Sequence, residues 1–187
     1  MLRIRGFFVL FGLALLASCS DANNLADPTV NNVVDTFTLG SLAGTPISTP
    51  SGYSVSAGGP VRTDRTIEFE FAYNVRQLEN GDSQPVFLPR AVLGYSTSSA
   101  NPGLQRRDEE FDEITRARSN GYVTDSAVPI QVGERYLLRS RVICSNLGVP
   151  LYGKLQILSI DGLAVTFQIL LDGNCGYKGL EPGLPDS

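Results

Sequence analysis

The residues of this chain that could do chemistry are few: three cysteines, Cys19, Cys144 and Cys175, seven tyrosines, and the acidic run Asp108-Glu109-Glu110-Phe111-Asp112-Glu113. There is no histidine in 187 residues. That removes a Ser-His-Asp triad, a Cys-His pair, a His-Glu-x-x-His zinc helix and an iron facial triad together. A phosphate-binding Gly-x-x-x-x-Gly-Lys-Ser/Thr loop is also missing. Carboxylate chemistry survives, because glycoside hydrolysis needs only two suitably spaced acids. On a helix, though, the acids of 108–113 point around several faces and suit a solvated surface better than a site. They also lack the alternating Asp-x-Asp-x-Asp-Gly of a calcium loop. The expectation is a protein that is not an enzyme, with no catalytic residue, no metal and no resident cofactor.

The cysteines divide by context. Cys19 closes a stretch in which Arg3 and Arg5 are followed by an apolar run over residues 7–16 and by the small residues Ala17 and Ser18. That order is an export leader, and its apolar core is too short for an ordinary transmembrane helix. Leu16-Ala17-Ser18-Cys19 resembles the lipobox of bacterial lipoproteins. The resemblance implies cleavage after residue 18 and acylation of Cys19, which becomes the first residue of an anchored protein. Ser20, where many lipoproteins kept in the inner membrane carry aspartate, points to the outer membrane. Lipidation of Cys19 leaves Cys144 and Cys175, an even pair in an oxidising compartment, and they are expected to form a disulfide.

Charge narrows the partners. The net charge is −4, and removal of the arginine-bearing leader makes it more negative still. This argues against nucleic acid and against an electrostatic membrane patch, so lipid rather than charge would hold the protein to a bilayer. The remaining partners are a small ligand or another envelope protein, and the chain is expected to be monomeric outside any complex.

The aromatic residues are the remaining candidates for binding. Tyr53, Tyr95, Tyr122 and Tyr177 stand beside glycines or serines in turn-rich sequence, and Tyr152 begins a strand-like run. Exposed rings at such places can stack on an apolar or planar ligand, although in β domains they more often cover the ends of the core.

The elements that must position these residues are strands. Three parts are expected: a leader over 1–18, a polar tether over 19–32 and one β domain over 33–187. The domain reads as an all-β, mostly antiparallel sandwich-like fold with one short surface helix and a C-terminal hairpin. Ile67, Phe69, Phe71 and Tyr73 alternate with Glu68 and Glu70, which predicts a strand with one wet face. Shorter strands are expected at 35–39, 53–56, 86–88, 91–95, 128–132 and 135–144, and Pro85 and Pro89 put the 86–88 strand at an edge. Asp161-Gly162 between 154–160 and 163–171 predicts a two-residue hairpin loop with Ile160 opposite Leu163 and Leu158 opposite Val165. The helix is expected over 104–119, from the stripe Leu104, Arg107, Phe111, Ile114 and Arg118, the Asp112–Arg116 pair and the Asn120-Gly121 stop.

Three pieces of residues 133–169 resemble the HmuY-like haemophore family of bacterial surface lipoproteins: Gly133-Glu-Arg-Tyr-Leu-Leu-Arg-Ser140, Tyr152-Gly-Lys-Leu-Gln-Ile-Leu-Ser-Ile160 and Val165-Thr-Phe-Gln-Ile169. In that family a strand ending in an Arg-Ser/Thr-like pair runs into a Tyr-x-Lys-Leu strand and a final hairpin strand. The resemblance implies an all-β fold and an envelope address. Two departures limit what else it implies. The family's short turn is replaced by residues 142–150, and its axial haem ligands have no counterpart, since histidine is absent and the only methionine is Met1. Haem would need tyrosine, lysine or a free cysteine on iron, with Tyr122 and Tyr152 the first candidates. The function expected is therefore a lipid-anchored, non-catalytic binding module. Its alternatives are a structural accessory subunit of a membrane complex, a haem binder with non-histidine ligation, and a carboxylate-based glycan hydrolase.

Overall fold

A computed structural model describes residues 25–96 and 101–185. Cys19 and the leader lie outside the described residues. The chain folds as two antiparallel sheets laid face to face. The first is formed by β1 (Val34–Gly40), β10 (Ala164–Asp172), β9 (Val149–Asp161), β8 (Arg135–Cys144) and β6 (Gly103–Arg107), in that order. The second runs β3 (Gly59–Val61), β2 (Gly52–Ser54), β4 (Phe71–Gln77), β5 (Ser83–Pro89) and β7 (Val128–Pro129). The only helical pieces among the described residues are 3-10 turns at Arg90–Leu93 and Phe111–Glu113.

The core between the sheets is aromatic. Phe167 of β10 sits within 5.8 to 6.4 Å of the rings of Tyr53, Phe71, Phe87 and Phe37, so one side chain of the first sheet touches both layers. Tyr53 stacks on Phe71 at 5.6 Å and 18°. A second apolar cluster lies on the outer face of the first sheet, where Leu137, Tyr152 and Leu170 are covered by Phe111, Ile114, Ala117 and Leu180. Both faces of β8, β9 and β10 are thus buried in part. That is why Tyr136, Leu137 and Leu138 are all at most 1% exposed and the strand reads as a continuous apolar run rather than an alternation.

The all-β class, the two-layer arrangement and the C-terminal hairpin match the sequence reading, while four elements differ from it. The segment 104–119 is not a helix. Leu104 joins the ladder opposite Leu138 and is bridged on its other side by Val123, and Phe111 and Ile114 then pack down on the outer face of β8 and β9. A helix would satisfy its own backbone but leave the edge of β8 unpaired. The reciprocal Glu110–Glu113 capping box supports no more than one 3-10 turn. Residues 91–95 form the other 3-10 turn instead of a strand.

The wet-faced strand is shorter than its pattern. β4 begins at Phe71; Ile67 is 54% exposed and Glu70 only 1%. The alternation fails because both neighbours are covered, by different groups: Tyr95 packs edge-on against Phe69 at 5.9 Å, and Glu70 is buried against the Val55 amide and Arg141. The strand holding Pro85 and Pro89 is not an edge strand: β5 lies between β4 and the two-residue β7.

The final hairpin is present, but its turn lies one residue beyond the expected Asp161-Gly162 loop: it turns over Gly162 and Leu163, with Ala164 opposite Asp161 and Val165, not Leu163, opposite Ile160, and Gly162 takes φ 56°. A bulge between Thr166 and Phe167 in the pairing then puts Phe167 opposite Ile157. Leu158 and Leu163 consequently face outward, 41% and 40% exposed, while Leu155 and Ile157 take the core positions.

Candidate functional site

Position along β9 decides what its side chains meet. Tyr152 and Lys154 are two apart and share the outer face of the first sheet, with Arg139 and Leu137 beside them on β8 and Asp172 and Leu170 beside them on β10. The 108–123 segment crosses this face. Arg135 binds the Glu110 carboxylate and donates to the Glu109 carbonyl at one end. In the middle, Lys154 Nζ donates to the carbonyls of Phe111 at 2.8 Å and Ile114 at 3.0 Å and lies 4.5 Å from the Phe111 ring centre. Lys154 is 1% exposed, and burial pushes its ammonium below the usual lysine range. It therefore supplies donors to a 3-10 turn whose carbonyls have no helical partners. At the far end, Tyr122 lies 6.3 Å from Tyr152, under the guanidinium of Arg139 at 4.9 Å.

Beside that pair the sheet opens into a cleft of about 440 Å³ lined by Leu25, Arg116, Val149, Pro150, Tyr152, Gly176 and Lys178. Lys178 Nζ sits 5.6 Å from the Tyr152 ring centre and donates to Ser119 Oγ at 2.7 Å. Neither Arg116 nor Lys178 forms an ion pair among the described residues, whereas Arg62, Arg106, Arg107, Arg135 and Arg141 all do. Leu25 closes the cleft against Gly176, where a Cβ would come within 2.6 Å of the leucine.

The five candidate tyrosines do not converge. Tyr53 is a core ring, 2% exposed. Tyr95 covers Phe69. Tyr177 is buried and its hydroxyl donates to the Ala26 carbonyl at 3.0 Å. Only Tyr122 and Tyr152 come together; burial raises both phenols, and Tyr122 donates to the Arg118 carbonyl. The acidic run is dispersed too, with Glu109 on Arg107, Glu110 on Arg135, and Asp112 and Glu113 exposed.

Cys144 and Cys175 stand at bonding distance, with Sγ–Sγ 1.97 Å and Cα–Cα 5.8 Å, tying the end of β8 to the segment after β10. The described part of the expected tether is docked on the domain. Asn174 accepts from the amides of Thr29 and Val30 and donates to the Val30 carbonyl, and Asn32 exchanges backbone bonds with Gly183.

Two polar groups that sequence reasoning passed over are buried. Glu70 accepts from the Val55 amide at 2.6 Å and from Arg141 at 2.8 Å, which joins the second sheet to β8 of the first. Arg141 is aimed there by a bulge between Arg139 and Val142, where Ser140 Oγ takes the Leu151 amide at 2.9 Å. Asp172 is 0% exposed; its Oδ1 accepts from Asn174, and its Oδ2 has no partner among the described residues. Nothing in the sequence marks these groups: Glu70 continues the regular alternation of 67–73, and Asp172 follows the apolar run of β10.

No family model, no curated protein and no solved structure matches this chain.

Proposed function

We propose that the protein is a lipid-anchored component of the bacterial cell envelope, held at the outer membrane through Cys19. Its work is that of a non-catalytic binding module whose ligand enters the cleft beside Tyr152. The observation that carries this reading is the cleft itself: it is lined by Arg116 and Lys178, neither of which forms an ion pair among the described residues, and Lys178 Nζ stands 5.6 Å from the Tyr152 ring centre. Charge that the fold does not neutralise internally remains available to a ligand, and an aromatic wall adds a flat contact beside it.

The anchor is tested by mass spectrometry of the mature N-terminus together with membrane fractionation. An acylated Cys19 is expected, and Cys19→Ala should leave an unprocessed or soluble chain. Normal processing and unchanged membrane attachment in that variant would refute the anchor.

A second reading, an accessory subunit of a membrane complex, is favoured by one feature. β1 is a seven-residue edge strand with exposed Val33 and Val34 at its start, long enough to accept a partner strand. Stoichiometric recovery of one membrane complex on pull-down, lost when Thr36 is replaced by proline, would favour this reading over the first.

A further inference from the structure

We propose that the cleft of Arg116, Tyr152 and Lys178 binds the phosphate of an anionic phospholipid headgroup in the membrane that carries the anchor. The inference rests on the lipid-anchored reading and assigns the ligand of its site.

Three observations converge on it. The first is position. Leu25 lines the cleft and is only six residues after Cys19, so even a fully extended connection spans about 20 Å. An acyl group on Cys19 therefore keeps the cleft close to the bilayer surface. Such a short link turns headgroup binding into an intramolecular event, so that a weak site is still occupied.

The second is charge. The chain as a whole is acidic, yet the cleft lining contains an arginine and a lysine and no acid. Asp27 and Glu181, the acids nearest in sequence to Leu25 and Lys178, are exposed and do not line it. The sequence reading took net charge as an argument against an electrostatic membrane contact; the tertiary structure gathers two cations that form no ion pair among the described residues into the cleft that Leu25 lines. A guanidinium and an ammonium lining one space are matched by a single phosphodiester.

The third is the surround. Leu25, Val149 and Pro150 give the cleft apolar walls, and Val30, 48% exposed, is held by Asn174, two residues before the cleft residue Gly176. A tyrosine and two cations in one cleft with aliphatic walls is the composition that settles at headgroup level.

The test uses the processed, acylated protein in vesicles of phosphatidylcholine alone and in vesicles that also contain phosphatidylglycerol, read by hydrogen exchange over residues 114–122 and 174–180. Slower exchange of both segments in the phosphatidylglycerol vesicles is expected, with that protection weakened about five-fold for each cation removed in Arg116→Gln and Lys178→Gln. Arg76→Gln, at an exposed cation on β4, should leave the protection intact and control for net charge. Equal exchange in the two vesicle types would overturn the proposal. So would the same protection produced by inorganic phosphate in phosphatidylcholine vesicles, which would make the ligand a soluble anion. Mass spectrometry of the same preparation scores the anchor separately. An acylated chain with equal exchange sinks the headgroup site and spares the anchor; an unacylated chain still protected by added phosphatidylglycerol vesicles does the reverse.

Discussion

Buried polar side chains set the most distinctive behaviour at the scale of single residues. The carboxyls of Glu70 and Asp172 are both raised above the ordinary carboxylate range, in each case chiefly because burial disfavours the charged form. Glu70 recovers part of that cost from the Val55 amide and Arg141, whereas Asp172 has only Asn174. The sign of the effect on stability follows from linkage. A carboxyl whose folded pKa exceeds its unfolded one binds its proton more tightly in the folded state, so its favourable contribution is complete below the unfolded value and is lost as pH rises through the folded one. The protein should therefore lose stability between acid and neutral pH through these two groups. Asp172→Asn keeps the oxygen that Asn174 uses and removes the titration, so its urea-unfolding free energy should change less across that range than that of the parent. An identical slope in both proteins would show that Asp172 carries no such linkage.

Elements in this protein are held by contacts made across them more than by their own propensities. The 108–123 segment has neither a helix nor a long strand after β6, and its attachment passes through Lys154, two aromatic contacts and the backbone pairing of Arg116 with Gly179. Lys154→Met keeps most of the side-chain volume but leaves the carbonyls of Phe111 and Ile114 without their donor. The cost should be roughly 1 to 3 kcal/mol. Because the lost bonds all belong to this segment, the change should also be local. Trypsin should cut at Arg116 or Arg118 in the variant well before the sandwich unfolds, and equal resistance in parent and variant would place the segment's anchorage elsewhere.

Considered as a whole, the molecule has one shared core with an added outer layer on the first sheet. Phe167 is the ring that both sheets share, so Phe167→Ala should cost about 3 to 5 kcal/mol. It should also lower the near- and far-ultraviolet circular dichroism transitions together, as expected of a single cooperative unit. Separated transitions in this variant would mean that the sheets fold independently. The contrast with Lys154→Met distinguishes the two layers: one substitution weakens the whole, and the other frees a cover.

How much of this was legible in the sequence depended on how local the determinant is. The all-β class, β1, β8 and the final hairpin could be read because apolar residues recur at strand spacing and a glycine marks the turn. Cys144 and Cys175 could be paired because only two cysteines remain after Cys19. The helix expected over 104–119 shows the limit of this reasoning. Its stripe was real, since Leu104, Phe111 and Ile114 are all buried, but the surface that buries them is a sheet edge and a sheet face supplied by β8 and β9. Likewise Glu68 and Glu70 have the same local pattern, yet Glu70 alone is buried, against an arginine 71 positions away. The bulge that turned Leu158 outward depends on how three strands accommodate one another. The cleft beside Tyr152 had no sequence signal, because its lining comes from segments around residues 25, 116, 150 and 177. Periodicity and turn chemistry act through neighbours in the chain, and so the sequence by itself determined the class of fold and the cysteine pairing. Burial, ion pairing and the gathering of cations act through space, and only the tertiary structure decided those.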